Sequence, residues 1–291
     1  MQGRIIKGIG GFYDVLLSDG SISTCKARGR FRKEGLTPMV GDTVEIAPQA
    51  EGLAAIESIL PRKNELLRPP VANIDQLIIV VAASAPKPDW LLVDKLLLQA
   101  HLAKIEPLLV LNKLDEQDAE IVKTFEEDYS IPFHTLALSA RSGQELNSLK
   151  SCLADKISCF AGQSAVGKSS LLNALIPDLH LETGGLAKKT DRGRHTTRHA
   201  ELWPFYGGAV LDTPGFSLFE MEDISQKLLN QCYPEFGDAP THCRFAGCSH
   251  RSEPDCAVKE LLKNGRLSQG RYIRYQQLVD EILLRRKHQY D

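Results

Sequence analysis

The 291-residue chain reads as a multidomain protein with three units in order: an amino-terminal β-barrel of the OB-fold kind, a central α/β unit with a parallel sheet and a phosphate loop, and a carboxy-terminal, mainly helical unit with a metal-ligand cluster. Three observations predict this. Short strand-like runs separated by turn signals fill the first 65 residues. From about residue 70, strands alternate with helical stretches, the mark of a parallel sheet with crossover helices. Near the end, three cysteines and one histidine fall within 14 residues. The expected units are 1–66, 67–222 and 223–291, and the length suits two domains, or three if some are small.

The barrel rests on five runs: Arg4-Ile-Ile-Lys7, Phe12 to Leu17, Ser21 to Lys26, Asp42 to Ile46 and Ala54 to Leu60, with turns such as Ser18-Asp-Gly20 between them. Five short strands are the count of an OB-fold. The stretch Lys26-Ala-Arg-Gly-Arg-Phe-Arg-Lys33 mixes five cations with one aromatic, a composition suited to single-stranded nucleic acid. A barrel that only docks on the next domain fits the pattern as well.

The linker Leu66-Leu-Arg-Pro-Pro70 marks the next boundary. Strands are expected at Gln76–Ala82, Pro107–Leu111, Phe133–Leu138, Ile157–Ala161, Ala200–Trp203 and Gly208–Leu211. Several are unbroken apolar runs, as strands covered on both faces are. The run ending at Ala161 feeds Gly162-Gln-Ser-Ala-Val-Gly-Lys-Ser169, and a helical pattern from Ser170 leaves it, which is GxxxxGK[ST] in its proper context. Gly162 and Gly167 let the N–H groups of Gln163, Ser164, Ala165 and Val166 turn inward around a phosphate. Lys168 supplies a cation, Ser169 a hydroxyl for Mg²⁺, and Ser170 continues the cradle.

Other strand ends carry matching chemistry. Asn112-Lys113-Leu-Asp115 follows an apolar strand. The Asp115 carboxylate can accept from both the ring N–H and the exocyclic amine of guanine, while the Lys113 stem lies along the base. Adenine offers no such donor pair. Ser139-Ala140 follows the next strand and can bring a backbone N–H to the guanine oxygen. Asp212-Thr-Pro-Gly215 ends another, where Asp212 can hold the Mg²⁺ shell and the Gly215 N–H can meet a γ-phosphate.

These are the motifs of a GTP-binding protein, but in a rotated order. An ordinary GTPase runs phosphate loop, switch threonine, DxxG, NKxD, SA; here NKxD (112–115) and SA (139–140) come first, then the phosphate loop (162–169), His195-Thr-Thr197 and DTPG (212–215). A circular permutation does this, one helix near 144–155 joining the former ends. The basic, Gly-rich stretch 184–198 is the expected switch, with Thr196 or Thr197 reaching Mg²⁺ and the γ-phosphate. Phe216 stands where a Ras-like protein has the glutamine that orients water. His195 is the candidate for that role, a loop histidine contacting a partner being the alternative. Lys168, His195 and Thr197 are the expected catalytic residues.

Cys243, Cys248, His250 and Cys256 suit one closed, structural Zn²⁺ site. A chelator is then expected to unfold residues beyond about 230 and to spare nucleotide binding. Helices are expected at Ala257–Lys263 and roughly 271–286, the second burying Tyr272, Tyr275, Val279 and Ile282. The other cysteines, Cys25, Cys152, Cys159 and Cys232, suit reduced core thiols. The net charge of −2 hides an asymmetry: residues 241–291 carry ten Lys/Arg against six Asp/Glu, and 181–200 five against two. That makes a polyanionic partner a candidate and a solvated mixed surface its rival. Met1-Gln-Gly-Arg4 leads into no secretory apolar run, and no run of about 18 apolar residues occurs, so a cytoplasmic location without a membrane partner is expected.

A barrel, a permuted GTPase and a Cys-Cys-His-Cys segment in this order, with Gly193-Arg-His-Thr-Thr197, resemble the bacterial ribosome small-subunit-dependent GTPase A family (RsgA, also called YjeQ) over essentially the whole chain. The resemblance implies Mg²⁺-dependent hydrolysis of GTP to GDP, stimulated by the 30S subunit, in late maturation of that subunit. It also implies contact of the OB-fold with 16S rRNA; a monomer is expected. With Met1-Gln-Gly-Arg4 as its start, the chain is expected to be without the basic amino-terminal extension that some members carry. Two other classes share parts of the pattern: a P-loop kinase or ATPase, which has no use for Asn112, Lys113 and Asp115, and an RNA-binding scaffold with a vestigial nucleotide site.

Overall fold

The structure, a computed structural model, describes residues 1–48, 53–67, 70–179, 181, 200–212 and 224–289. Strands β1 (Gln2–Ile9), β2 (Phe12–Leu17) and β3 (Ile22–Ala27), a short helix α1 (Gly29–Lys33), then β4 (Thr43–Pro48) and β5 (Ala54–Ile59) form a barrel closed in the order β1-β2-β3-β5-β4. Only the β3–β5 pair is parallel. Alternation does what the period of two requires: Ile5, Val15, Cys25, Val44 and Ile56 all point inward and are fully buried. Register shifts in β1 after Ile5 and in β4 after Glu45 add the bends that closure needs.

One aromatic changes its meaning. Phe31, read from sequence as part of an exposed basic loop, sits on α1 and is buried in the core. Its neighbours Arg28 and Arg30 are bound by the Glu57 carboxylate and carbonyl. The exposed aromatic of this face is Phe12, with Lys26 Nζ 4.7 Å from its ring centroid.

The expected linker is a small hairpin, β6 (Glu65–Leu67) and β7 (Pro70–Ala72), tied to the barrel. The Arg62 guanidinium binds both oxygens of the fully buried Asp42 at 2.7 and 2.8 Å. Gly41 (φ +94°) lies so close to this hairpin that a Cβ there would sit 2.0 Å from the Ala72 carbonyl oxygen.

The central unit runs β8 (Gln76–Ala82), α2 (Trp90–Leu102), β9 (Glu106–Asn112), α3 (Ala119–Tyr129), β10 (His134–Ala137), α4 (Leu146–Leu153), β11 (Ile157–Ala161), α5 (Lys168–Leu175), β12 (Leu202–Phe205), β13 (Gly208–Asp212). The sheet order is β10-β9-β8-β11-β13-β12, parallel except for β12. Every residue of β8 and β11 is buried, because both faces are covered. Leu77, Ile79 and Val81 share a core with Leu96 and Leu97 of α2 and with Phe125 of α3. Ile78 and Val80 share the opposite one with Leu149 of α4 and Leu171 of α5. The helices after the adjacent strands β8 and β11 therefore pack on opposite faces. Their carboxyl ends open a crevice, the place where such sheets bind ligands.

The last unit has α6 (Gln226–Gln231), α7 (Ala257–Lys263) and α8 (Gln269–Gln289). Tyr272, Tyr275, Val279 and Ile282 are its buried stripe, as their helical spacing requires. Leu98 of α2 joins this core, so the unit is docked on the central one. Among the described residues, no helix is long and apolar enough to cross a membrane.

Candidate nucleotide and metal sites

The crevice gathers three of the sequence motifs. Gly162 (φ +131°) leaves β11 with no room for a side chain, since a Cβ there would meet the Val80 carbonyl oxygen at 2.3 Å. Gly167 (φ +100°) caps α5 and lies against Asn112, whose Nδ2 would be 2.3 Å from an added Cβ. Between them Ala165 adopts a left-handed φ of 65°, so successive N–H groups turn inward ahead of the amino end of α5. Lys168 Nζ donates to the carbonyls of Gly162 and Gln163, both at 2.8 Å.

Asn112 joins the motifs to one another. It is buried at the end of β9, its Nδ2 donates to the Val166 carbonyl at 3.0 Å, and its Oδ1 accepts from the Ala140 N–H at 3.0 Å. Lys113 takes a left-handed φ of 68°, and its Nζ donates to the carbonyls of Ala165 (2.8 Å) and Ala85 (2.6 Å), which lays the stem along one wall. Ser139 Oγ donates to Asp115 Oδ1 at 2.6 Å and fixes the carboxylate plane. Asn112, Lys113, Asp115 and Ala140 line a cavity of about 400 Å³ with Glu116, Arg141, Gly167 and Ser170, a size suited to a small ligand.

Sequence reasoning passed over three participants. Arg141 and Glu116 form an ion pair (2.7 Å) at the cavity rim, directly beside motif residues. Gln163 Oε1 accepts from the Asp89 N–H at 3.2 Å, which ties the phosphate loop to the start of α2; nothing local in the sequence signals it. Asp212 ends β13 beside β11, so the strand delivers it to the crevice. His195, Thr196, Thr197 and Gly215 lie outside the described residues.

The second cluster is Cys243, Cys248, His250 and Cys256, whose ligand atoms all lie within 4.8 Å of one another. Tetrahedral Zn²⁺ with bonds of about 2.3 Å to sulfur and 2.0 Å to nitrogen has edges of about 3.8 and 3.5 Å. Cys243 and Cys256 sulfurs are 3.9 Å apart, and His250 Nδ1 is 3.5 and 3.4 Å from them. The donor set therefore fits a closed structural ion. Ligation by Nδ1 leaves the proton on Nε2, 3.1 Å from the Asn230 amide, so the amide oxygen is the atom that belongs there. The Asn230 amide also meets Tyr275 Oη, at 2.7 Å. Burial pushes the Cys248 thiol up to about 12, so an arriving metal must displace its proton.

Glu253 braces the loop. Its carboxylate accepts from Ser249 N and Oγ (2.6 and 2.5 Å) and from Arg251 N (2.9 Å). Burial opposes its charge, but these hydrogen bonds prevail and hold its pKa down to about 2. Because the folded value is lowered, the contribution is complete above the unfolded value near 4.3 and is lost as pH falls through 2. Glu253→Gln should cost about 1–3 kcal/mol at pH 7 by thermal melting of the metal-bound protein; a variant that melts with the wild type there would remove the carboxylate's bracing role.

Sheet order, crevice and motif order together define a circularly permuted GTPase. The family model described as RsgA GTPase matches residues 59–222, and that described as RsgA N-terminal domain matches residues 2–56. The chain belongs to the RsgA GTPase family. It is 46% identical to the small ribosomal subunit biogenesis GTPase RsgA of Caldanaerobacter subterraneus subsp. tengcongensis, covering 100% of this chain and 98% of that one. Its identity to the RsgA of Geobacillus sp. (strain WCH70) is 44%, over 97% of each. Among solved structures, YjeQ from Thermotoga maritima superposes with a TM-score of 0.84 at 39% identity, over 97% of this chain and 98% of that one. YloQ, a circularly permuted GTPase, gives 0.80 at 36% identity, over 98% and 95%.

Proposed function

We propose that the chain hydrolyses GTP to GDP and phosphate with Mg²⁺, is stimulated by the 30S subunit, and acts in late maturation of that subunit. The observation that carries the nucleotide reading is the packing of Asn112 against Gly167, which sets the base-reading turn and the phosphate loop on one cavity. In this reading Asp115, held by Ser139, accepts the two guanine N–H groups. The Ala140 N–H lies on the side of the guanine oxygen, and Lys113 lines the ring. Gln163 to Lys168 wrap the phosphates, while Ser169 and Asp212 hold the Mg²⁺ shell. Thr196 or Thr197 completes the γ-phosphate contacts. Positioning and charge stabilisation account for most of such a reaction. A Cys3His site holds one Zn²⁺ and forms no part of the hydrolytic step. The relatives' names, which place them in small-subunit biogenesis, support the 30S subunit as partner; contact with its 16S rRNA and a cytoplasmic location belong to the same reading.

The test is turnover with and without 30S subunits. Because Phe216 cannot orient water, the free protein should be slow, and the subunit should accelerate it by ordering the segment with His195 and Thr197. His195→Ala should lose most of the stimulated rate, at least tenfold, while keeping GTP and subunit binding. A fully stimulated His195→Ala enzyme would remove the histidine from the mechanism; absence of GTP turnover in every condition would favour the scaffold reading.

A further inference from the structure

Outside the nucleotide and metal sites, the largest concentration of buried charge lies where α8 meets α2 and α3. Asp94 of α2 accepts from Arg271 Nη1 (2.6 Å) on one oxygen and Arg274 Nε (2.8 Å) on the other. Arg274 Nη2 reaches Asp128 of α3 at 2.7 Å, and Arg271 Nε reaches Glu235 at 2.6 Å. Tyr129 Oη donates to Asp94 Oδ1 at 2.7 Å, and the Arg271 guanidinium lies 4.2 Å from the Tyr233 ring centroid. All five charged side chains are less than a tenth exposed.

Charge buried this deeply is a poor way to gain stability, since apolar residues of equal volume usually do as well. What it imposes is one geometry, because any slip of α8 leaves a carboxylate without its guanidinium. The helices so gripped both begin beside the nucleotide site. Asp89, whose N–H is tied to Gln163 of the phosphate loop, caps α2 with Asp94 five residues on, about 7.5 Å along the axis. Asp118, which comes just after the Asn112–Asp115 turn and donates its N–H to the Ala83 carbonyl, caps α3, and Asp128 is at the other end. The two arginines thus hold α2 within its first half and α3 at its far end, while the amino end of α2 touches the phosphate loop through Gln163 and that of α3 follows the base-reading turn.

We propose that Arg271 and Arg274 are positioning residues for guanine-nucleotide binding: through Asp94 and Asp128 they fix α2 and α3, so that the zinc-bearing unit and the nucleotide site stabilise one another. The proposal rests on the guanine-nucleotide reading of the crevice. Since coupling is reciprocal, nucleotide must tighten α8 by the factor with which a correctly docked α8 tightens nucleotide.

The double variant Arg274→Met/Asp128→Asn removes one charge of each sign and keeps volume; Asp128→Asn alone, the isosteric change, is the second variant should the first lose its zinc. Hydrogen exchange of the full, metal-bound chain is followed with and without GDP, alongside GDP titration. In the wild type GDP should slow exchange in α8 over residues 271–279, remote from the cavity, at least fivefold. The variant should bind GDP at least fivefold more weakly, and its α8 should cease to respond. A merely structural role would lower protection of α8 without abolishing its response to GDP. A wild-type α8 indifferent to bound GDP overturns the proposal, as does a variant that binds GDP within twofold of wild type or keeps the response. Failure of the wild type to bind GDP at all would instead overturn the nucleotide reading on which it stands.

Discussion

Asp115→Asn is expected to lower GTP affinity by two or more orders of magnitude and to make xanthosine triphosphate the better ligand. The carboxylate is an acceptor at both oxygens, and Ser139 Oγ, 2.6 Å away, holds its plane in the cavity. Guanine offers two parallel donors, the ring N–H and the exocyclic amine. An asparagine keeps one acceptor and turns a donor toward the amine, so a buried amine faces an N–H with nothing to accept it. Sites built around such hydrogen bonds reject the mismatched partner by about 10⁴-fold. Xanthine replaces the amine by a carbonyl, and the asparagine then matches it at both positions. Ser139 Oγ can still donate to the asparagine oxygen, so the side chain keeps its orientation and the fold is undisturbed. Competition binding of GTP, ATP and xanthosine triphosphate to both proteins reads the effect; unchanged GTP affinity in the variant would remove Asp115 from base recognition.

Much of this site was legible because its residues are delivered by strand ends. Apolar runs locate β8 and β11 to the residue, and the residues just beyond such a run must sit at the crevice. Asn112, Lys113 and Asp115 fell into place for that reason, although the ties from Asn112 to Val166 and Ala140 span 54 and 28 residues. The misreadings share one cause: periodicity assigns a face but not its partner. Phe31 among cations looked like a stacking platform, yet a five-residue helix turns it into the barrel core. Arg271 and Arg274 counted toward an excess of positive charge available to a polyanion. Their partner Asp94 lies about 180 residues earlier in the chain, and pairing with it takes both out of the surface field. The linker 66–70 holds a hairpin because Pro70 opens a strand whose partner precedes it.

Removal of the metal is expected to unfold the last unit and, contrary to what the sequence alone suggested, to weaken nucleotide binding with it. The unit has few elements of its own: α6, α7 and α8 pack around loops in which Cys248, His250 and Cys256 are themselves core residues. Structural Zn²⁺ contributes about 10–16 kcal/mol to such small units, comparable with or greater than the whole stability of an ordinary domain, about 5–15 kcal/mol. Without it, the buried Cys248 and Cys256 thiols, the half-buried Cys243 thiol and the buried His250 imidazole are packed against one another with only weak hydrogen bonds to offset their desolvation. Cys256→Ser should therefore abolish stoichiometric metal and the cooperative melting of residues 224–289. The effect should not stop there, because Leu98 is in that same core, and Asp94 and Asp128 are held by α8. A chelator should thus lower GDP affinity by a factor in the range usual for coupled sites, about 5 to 150, and re-added Zn²⁺ should restore it. Purified protein with no zinc, iron or cobalt and a folded α8 would refute the metal assignment. Full metal loss with unaltered GDP affinity would leave that assignment standing and break the link through α2 and α3.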